Sequence, residues 1–350
     1  MLLSLLSLLA QASGPNASSV PSPPARANTM FVAPNGRESG TGRRDDPLSL
    51  VAAARQASQP HTSSILTLLA GVYDLHATVR FDCRDCTVVV QADVKGSAIL
   101  SGNNCIDTGL LLAGQSITVK NLTLHDFRAN GIKLGSVGAA TISGNEIYDI
   151  HSVEWSQGGI VGMQQVDNVT VVGNTIHDTG YSAILFTSSP EGALRNVHIA
   201  ANTVARTCQV MSDCGAIYVG GRSLRTVGTV IERNHIQDYA KPGLQGKGIY
   251  LDDGLSDAVV CNNVIAGSGD FAIQIHNGHG NVISQNTIDA TGSQQPVLFQ
   301  WSKGFDMGPM NNNVFRGNTI TLRQDQQGQL VRYIQPNSAL VLKENTIQVR

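Results

Sequence analysis

The chain reads as an all-β solenoid, one strand-and-turn unit wound many times and stacked on itself. Three observations predict this. An Asn stands two residues before an aliphatic side chain at Asn145, Asn174, Asn202, Asn234, Asn262, Asn286, Asn318 and Asn345. The successive spacings are 29, 28, 32, 28, 24, 32 and 27 residues, and a period of this size marks a unit that must stack to bury its apolar face. A second string, small-Ile-x-apolar, recurs within the coils. Finally, Val, Ile, Thr, Asn and Gly dominate the middle of the chain, with 36 Gly and 5% aromatics in 350 residues, which is strand-and-turn chemistry.

In chain order, residues 1–12 (MLLSLLSLLAQA) read as an apolar export signal ending in Ala10-Gln11-Ala12, a small-x-small cleavage pattern without a preceding positive charge. The alternative is a disordered or docking segment. Residues 13–29, rich in Ser, Pro and Asn, read as linker, and residues 30–350 as one domain. Residues 31–36 form a strand running into a turn, 47–57 a helix, and 65–73 a strand with a Gly turn. The helix is expected to cap the N-terminal end, because an uncovered end would expose core and strand edges. Coils begin near Thr87, nine to ten in all. Residues 118–126 superpose on 141–149, which puts Leu122 in the Asn place and leaves Asn121 outside the ladder. Stacked Asn amides at an inward-facing turn would bond to one another and to unpaired backbone groups there.

The second string appears as Gly131-Ile132-Lys133-Leu134, Ala183-Ile184-Leu185-Phe186, Ala216-Ile217-Tyr218-Val219, Gly248-Ile249-Tyr250-Leu251 and Ala272-Ile273-Gln274-Ile275. Looser copies are Gly159-Ile160 and Val297-Leu298. Period-two alternation sends the Ile and the residue two later inward. Two outward columns follow: Lys133, Val161, Leu185, Tyr218, Tyr250, Gln274, Phe299; and Gly135, Met163, Thr187, Gly220, Asp252, His276, Trp301. The lower wall is bland, whereas the upper wall gathers rings with polar tips beside a carboxylate, as a sugar-binding cleft requires. The bland counterpart is a solvated sheet face with scattered aromatics.

With 41% hydrophobic and 14% charged residues and a net charge of −2, the chain can bury a large core. It carries no basic face for nucleic acid and no apolar run long enough for a membrane span. The 6 Cys fit an oxidising compartment. Cys83-Arg84-Asp85-Cys86 is a lone pair without a partner pair at zinc spacing. Cys208 and Cys214 bracket a short loop, as a disulfide or as buried thiols.

Residues 31–349 resemble the right-handed parallel β-helix superfamily of pectate lyases, polygalacturonases and related polysaccharide-active proteins. Residues 32–50 are similar to the extracellular β-helix motif that precedes a capping helix. The resemblance implies a single-stranded right-handed parallel β-helix, and it specifies fold more than function.

Two segments carry acids. Asp213 lies four residues before the inward Ile217, and Asp252 lies outward on the next coil with Asp253 at its turn. Glycoside hydrolysis needs one carboxyl to protonate the leaving oxygen and one to attack or activate water. The bland readings are a turn at Asp253-Gly254 and a loop cap at Asp213. Asp213-Cys214-Gly215-Ala216-Ile217-Tyr218 followed by Gly248-Ile249-Tyr250-Leu251-Asp252-Asp253-Gly254 resembles the β-helical glycoside hydrolases of family 141, which include fucosidases and xylanases. That likeness implies paired-Asp acid/base work by Asp213 and Asp252 or Asp253. The larger members have extra domains, so no substrate is carried over. Asp252-Asp253 and Gly278-His279-Gly280 also resemble polygalacturonase motifs, but no Asn-Thr-Asp precedes them and no Arg-x-Lys follows. His279 is then a turn residue, and His276 the better sugar contact.

The expectation is a secreted or periplasmic monomer that hydrolyses glycosidic bonds without metal. Asp213, Asp252 and Asp253 are the catalytic candidates, and Tyr218, Tyr250, His276, Trp301 and Arg222 would hold the carbohydrate. The alternatives are a uronate lyase or epimerase, for which calcium is possible and Arg222, Lys247 and Lys303 lie near the same coils, and a non-catalytic carbohydrate-binding solenoid.

Overall fold

The computed structural model describes residues 27–223, 226–303, 308–335 and 338–350. The proposed export signal and most of the linker lie outside these residues. The first strand, Asn28–Arg37, pairs with Ser63–Leu68 from Asn28 onward, so Asn28 and Thr29 belong to the sheet and not to the linker. An 8-residue helix, Leu50–Ala57, follows. The Ser49 side chain accepts from the Ala52 N–H at its start, and Ala52, Ala53, Ala54 and Ala57 are buried. It packs on the first strands. Among the described residues, no helix is long and apolar enough to cross a membrane.

The rest is a stack of about ten turns of parallel strands. Among the described residues two sheets result, one 21-stranded and one 11-stranded, the latter in strict chain order from Gly71–Asp74 to Thr346–Val349. Ile132, Ile160, Ile184, Ile217, Ile249, Ile273 and Val297 stand in register up the interior, all with 0% exposure. Each such side chain contributes about 1.5–3 kcal/mol on burial. The small residue before the Ile also faces inward. A Cβ on Gly248 would meet Ile265 Cγ2 at 2.7 Å, and one on Gly159 would meet Ile176 Cγ2 at 2.8 Å. At these two rungs a Cβ has no room, which accounts for the Gly in their copies of the motif.

The Asn ladder is present and buried. Asn202 is representative: its N–H donates to Asn234 Oδ1 at 3.0 Å, and its Nδ2 donates to the same oxygen at 2.9 Å and to the Val171 carbonyl at 3.0 Å. At the lower end Leu122 occupies the Asn place, as the sequence superposition predicts, and its N–H still donates to Asn145 Oδ1.

One rung departs from the predicted series. The ladder member is Asn263, not Asn262. Asn263 Nδ2 bonds Asn286 Oδ1 at 2.9 Å, whereas Asn262 has φ 57°. The reason is a second repeat hidden in the first. The residue before each ladder position is left-handed: Asn121, Gly144, Gly173, Ala201, Arg233, Asn262, Gln285, Gly317 and Glu344 all have φ between 52° and 66°. Asn tolerates both slots, so the doublet could be read either way. A shorter ladder, Asn281 to Asn313, runs beside the first and was not foreseen.

The top of the wall also shifts by one. Val297 pairs with Ile273, so Leu298 takes the outward place and Phe299, at 0% exposure, faces the core. Gln300, not Trp301, stands beside His276. Trp301 packs against the core instead. A one-residue slip moves every side chain to the other face, and the looser motif at Val297-Leu298 could not prevent it.

Replacing Asn263 by Ala should cost roughly 3 kcal/mol, because it strands buried donors and acceptors on two coils, while Asn262→Gly should cost under about 0.5 kcal/mol. Ala201→Gly should stabilise by about 1 kcal/mol by relieving the left-handed residue. Urea unfolding midpoints check all three, and equal effects at positions 262 and 263 would refute the register.

Candidate active site

Because the small residue and the Ile both face inward, simple alternation fails just before them, and a third outward column appears: Gly215, Lys247, Phe271 and Gln295. Lys247 therefore enters the wall beside Tyr250, where sequence alternation placed no basic residue. Its Nζ lies 4.7 Å from the centre of the Tyr250 ring and donates to Asp213 Oδ1 at 3.0 Å. Lys247 is buried and Asp213 exposed, with 5% and 60% side-chain exposure.

The strands Cys214–Gly220 and Gly246–Asp252 pair in register, Tyr218 on Tyr250 and Gly220 beside Asp252. The two rings stack at 4.8 Å, with Tyr181 tilted against Tyr218 at 6.5 Å. These rings are not an open platform. With Val161, Leu185 and the Cys208–Cys214 disulfide they form a small second core outside the wall. The Tyr181 hydroxyl donates to the Asp213 carbonyl at 2.7 Å, tying the disulfide loop down.

Asp252 ends its strand, pointing outward. Its carboxylate accepts the Tyr218 hydroxyl and lies 2.6 Å from His276 Nδ1, whose Nε2 lies 2.8 Å from Ser302 Oγ. Asp253 would point the opposite way in a continuing strand, but its φ of 47° turns the chain. Its carboxylate accepts Arg222 Nε at 2.5 Å. One ligand atom each from Asp252, Asp253 and His276 lies within 4.8 Å of the others, so these three could converge on one small cation.

The two neighbouring acids are shifted in opposite directions. Burial pushes Asp252 up, but the hydrogen bond and charge of His276 and the Tyr218 hydroxyl outweigh it, and the net shift is down. Asp253 is shifted up, by burial and then by the Asp252 charge, against the pull of Arg222. Burial also raises Tyr218 and Tyr250, with the Asp252 charge next, so both hydroxyls remain protonated.

The structure thus brings Asp252, Asp253, His276, Tyr218 and Arg222 together. Asp213 stands at the opposite end of the neighbouring strand, one residue before Cys214, which pairs with Gly246, six residues from Asp252. At about 3.3 Å per residue the backbones lie roughly 20 Å apart. Asp213 holds Lys247 rather than sharing the Asp252 pocket. Trp301 lies outside the cluster, with its indole Nε1 buried and unpartnered. His279 is in a turn, where its backbone N–H donates to Ser256 Oγ. Sequence reading missed Tyr181 and Ser302; Gln274 stands beside Tyr250 in the outward column, as expected, and its buried Oε1 has no partner.

Fold and cluster together define a β-solenoid whose outer wall carries a carboxylate–histidine–tyrosine centre. The sequence profile described as "Right handed beta helix region" matches residues 108–243 and 203–349, and the chain belongs to that family. A comparison with curated proteins finds no match. Among solved structures, the chain is similar to a lacto-N-biosidase of glycoside hydrolase family 136 from Eubacterium ramulus (14% identity, TM-score 0.63, 92% of this chain and 68% of that one). It is also similar to a mannuronic-acid-specific family 6 polysaccharide lyase from human gut microbiota (10%, 0.55, 92% and 83%). A third is the A-module of the mannuronan C-5 epimerase AlgE4 from Azotobacter vinelandii (15%, 0.53, 91% and 97%). At these identities the likeness is one of fold.

The opposite shifts have a stability consequence. Asp252 stabilises the fold above its ordinary value of 3.8, and that contribution is lost as pH falls through its lowered value. Asp253 acts in reverse: its charged form is a burden above its raised value and is relieved below it. At pH 7, Asp252→Asn should lower the melting temperature and Asp253→Asn should leave it unchanged or raise it. The two variants should converge as the pH is lowered towards 3, as read by thermal melts across pH 3–8.

Proposed function

We propose that the chain is a carbohydrate-active enzyme that hydrolyses glycosidic bonds, with Asp253 as the acid and Asp252 as the charged partner. The observation that carries this is a pair of neighbouring buried carboxyls, within 4.8 Å of each other, whose pKa values are shifted in opposite directions, Asp252 down through His276 and Tyr218 and Asp253 up through burial and the Asp252 charge. Such divergence is what separates acid from base or nucleophile in a hydrolase. Their oxygens lie within 4.8 Å, nearer the roughly 5–5.5 Å of retaining enzymes than the wider gap of inverting ones. The motif likeness to family 141 supports the same reaction, and the similar structures, a hydrolase, a lyase and an epimerase, support carbohydrate chemistry without choosing among them.

In this reading Asp253 protonates the leaving oxygen, and Asp252 attacks or shields the anomeric carbon. His276 and Tyr218 hold Asp252 ionised, and Arg222 orients Asp253. Asp213 is a positioning residue that acts through Lys247. Asp252 and Asp253 are each 4% exposed, so a sugar reaches them only once the side chains around them move aside. The reading also takes Leu50–Ala57 as the cover of the first coil and residues 1–12 as an export signal.

A lyase or epimerase is the second reading, favoured by one observation: Lys247, a buried cation, lies against the Tyr250 ring. Elimination beside a uronate needs a cation near the carboxylate and a base at the adjacent carbon.

A glycan panel followed by reducing-end assay and ultraviolet absorbance separates the two. Hydrolysis predicts new reducing ends without unsaturated products, retention of anomeric configuration by NMR, and turnover that survives a chelator. Asp252→Asn and Asp253→Asn should each cut turnover at least about 10²-fold. Unsaturated products, or full activity in both variants, would overturn the assignment.

A further inference from the structure

A second concavity opens on the same wall below the tyrosine core. It measures about 840 Å³ and is lined among others by Arg80, Asp107, Arg128, Lys133 and Glu154. Arg80, Leu111 and Lys133 stand in register on successive rungs, in the outward column that continues through Val161 and Leu185 to Tyr218. Two rungs separate Arg80 from Lys133, roughly 10 Å, and three more lead from Lys133 to Tyr218, roughly 14 Å. Arg128 is already neutralised by Asp107 at 2.6 Å. Among the described residues, neither Arg80 nor Lys133 makes an ion pair within 4.0 Å, and Glu154 is the one carboxylate left to oppose them. One wall is the segment 151–157, which contributes His151, Val153, Glu154, Ser156 and Gln157. The same segment carries Trp155 at 71% exposure, outside the residues that line the cleft.

We propose that this cleft binds an acidic glycan, with Arg80 and Lys133 meeting negative groups on alternate sugars and Trp155, outside the lining, stacking on a ring that projects from the cleft. Two cations about 10 Å apart along a straight wall suit charges repeated on a polymer better than a single compact anion. Their lack of internal partners leaves their hydrogen-bonding capacity for a carboxylate or sulfate. An exposed indole beside polar groups supplies the apolar face that sugar rings pack against. The ligand class rests on the carbohydrate reading above, but nothing here depends on Asp252 or Asp253. The cleft would select the substrate and the upper cluster would cleave it.

The test uses the full chain with Asp253→Asn, so that binding is measured without turnover. Oligosaccharides of a polyuronate, of a sulfated glycan and of neutral xylan are titrated by calorimetry and Trp fluorescence. At least one acidic ligand should bind about tenfold or more tighter than xylan, weaken as salt is raised, and change the fluorescence. Whichever acidic ligand wins names the source of the charge. Adding Arg80→Gln and Lys133→Gln should weaken acidic binding at least about tenfold and leave the melting temperature unchanged. Trp155→Ala should weaken binding and abolish the fluorescence change. Equal affinity for neutral and acidic ligands, no acidic binding, or unchanged binding in the double Gln variant would overturn the proposal. Loss of hydrolysis at Asp253 would leave it standing.

Discussion

Everything on the outer wall depends on how the inner turn disposes of its backbone polar groups. A coil that bends inward leaves amides and carbonyls facing an apolar interior, where each unpaired group costs about 1–3 kcal/mol. The Asn ladder answers this with one residue per coil. Its oxygen takes the backbone N–H and the amide of the neighbouring Asn, and its nitrogen reaches a strand carbonyl, as Ile199 receives Asn234 Nδ2 at 3.0 Å. The bonding is periodic only if each coil returns to the same place. The ladder therefore fixes stacking register, and stacking register decides which outward side chains become neighbours.

That dependence explains why the fold was legible and the site only partly so. The period, the inward Ile column and the Leu122 end of the ladder could all be read directly, because each follows from burial repeated many times. Asn263 could not be separated from Asn262, since two adjacent slots both accept Asn, one for its amide and the other for its tolerance of positive φ. Lys247 was hidden by a local break in alternation. The small residue and the Ile share the inward face, and no polarity pattern marks that. Trp301 was misplaced because the weak copy at Val297-Leu298 lacks the small residue that anchors the others. Asp252, Tyr218, Tyr250 and His276 were found where the motif was strong, and Asp253 joins them through one left-handed residue that sequence only hints at with Asp-Gly.

The carboxylate cluster is costly for a molecule whose strength is apolar stacking. Burying Asp252 and Asp253 side by side sets desolvation and mutual repulsion against a few hydrogen bonds, and replacing such groups with packed apolar residues is often neutral or stabilising. The rungs below show the alternative: the same columns hold Val161, Leu185 and Thr187. The departure is local, it coincides with pKa shifts of opposite sign, and perturbed carboxyls gather at functional sites more than elsewhere.

The wall divides into an open lower part and a closed upper part, and the disulfide loop lies between them. The second core of Val161, Leu185, Tyr218 and Tyr250 sits under that loop, which is held by Cys208–Cys214, by the Tyr181 hydroxyl on the Asp213 carbonyl, and by Lys247 on the Asp213 carboxylate. Of these ties, the salt bridge is the weakest, because Asp213 is largely exposed and its charge is screened. Releasing it would free Lys247 beneath Tyr250 and loosen the loop without touching the ladder. The inner face holds its coils by amide bonds repeated on every rung, whereas the outer cover rests on a few bonds made once. The register that brings Asp252 beside His276 therefore does not depend on the outer cover.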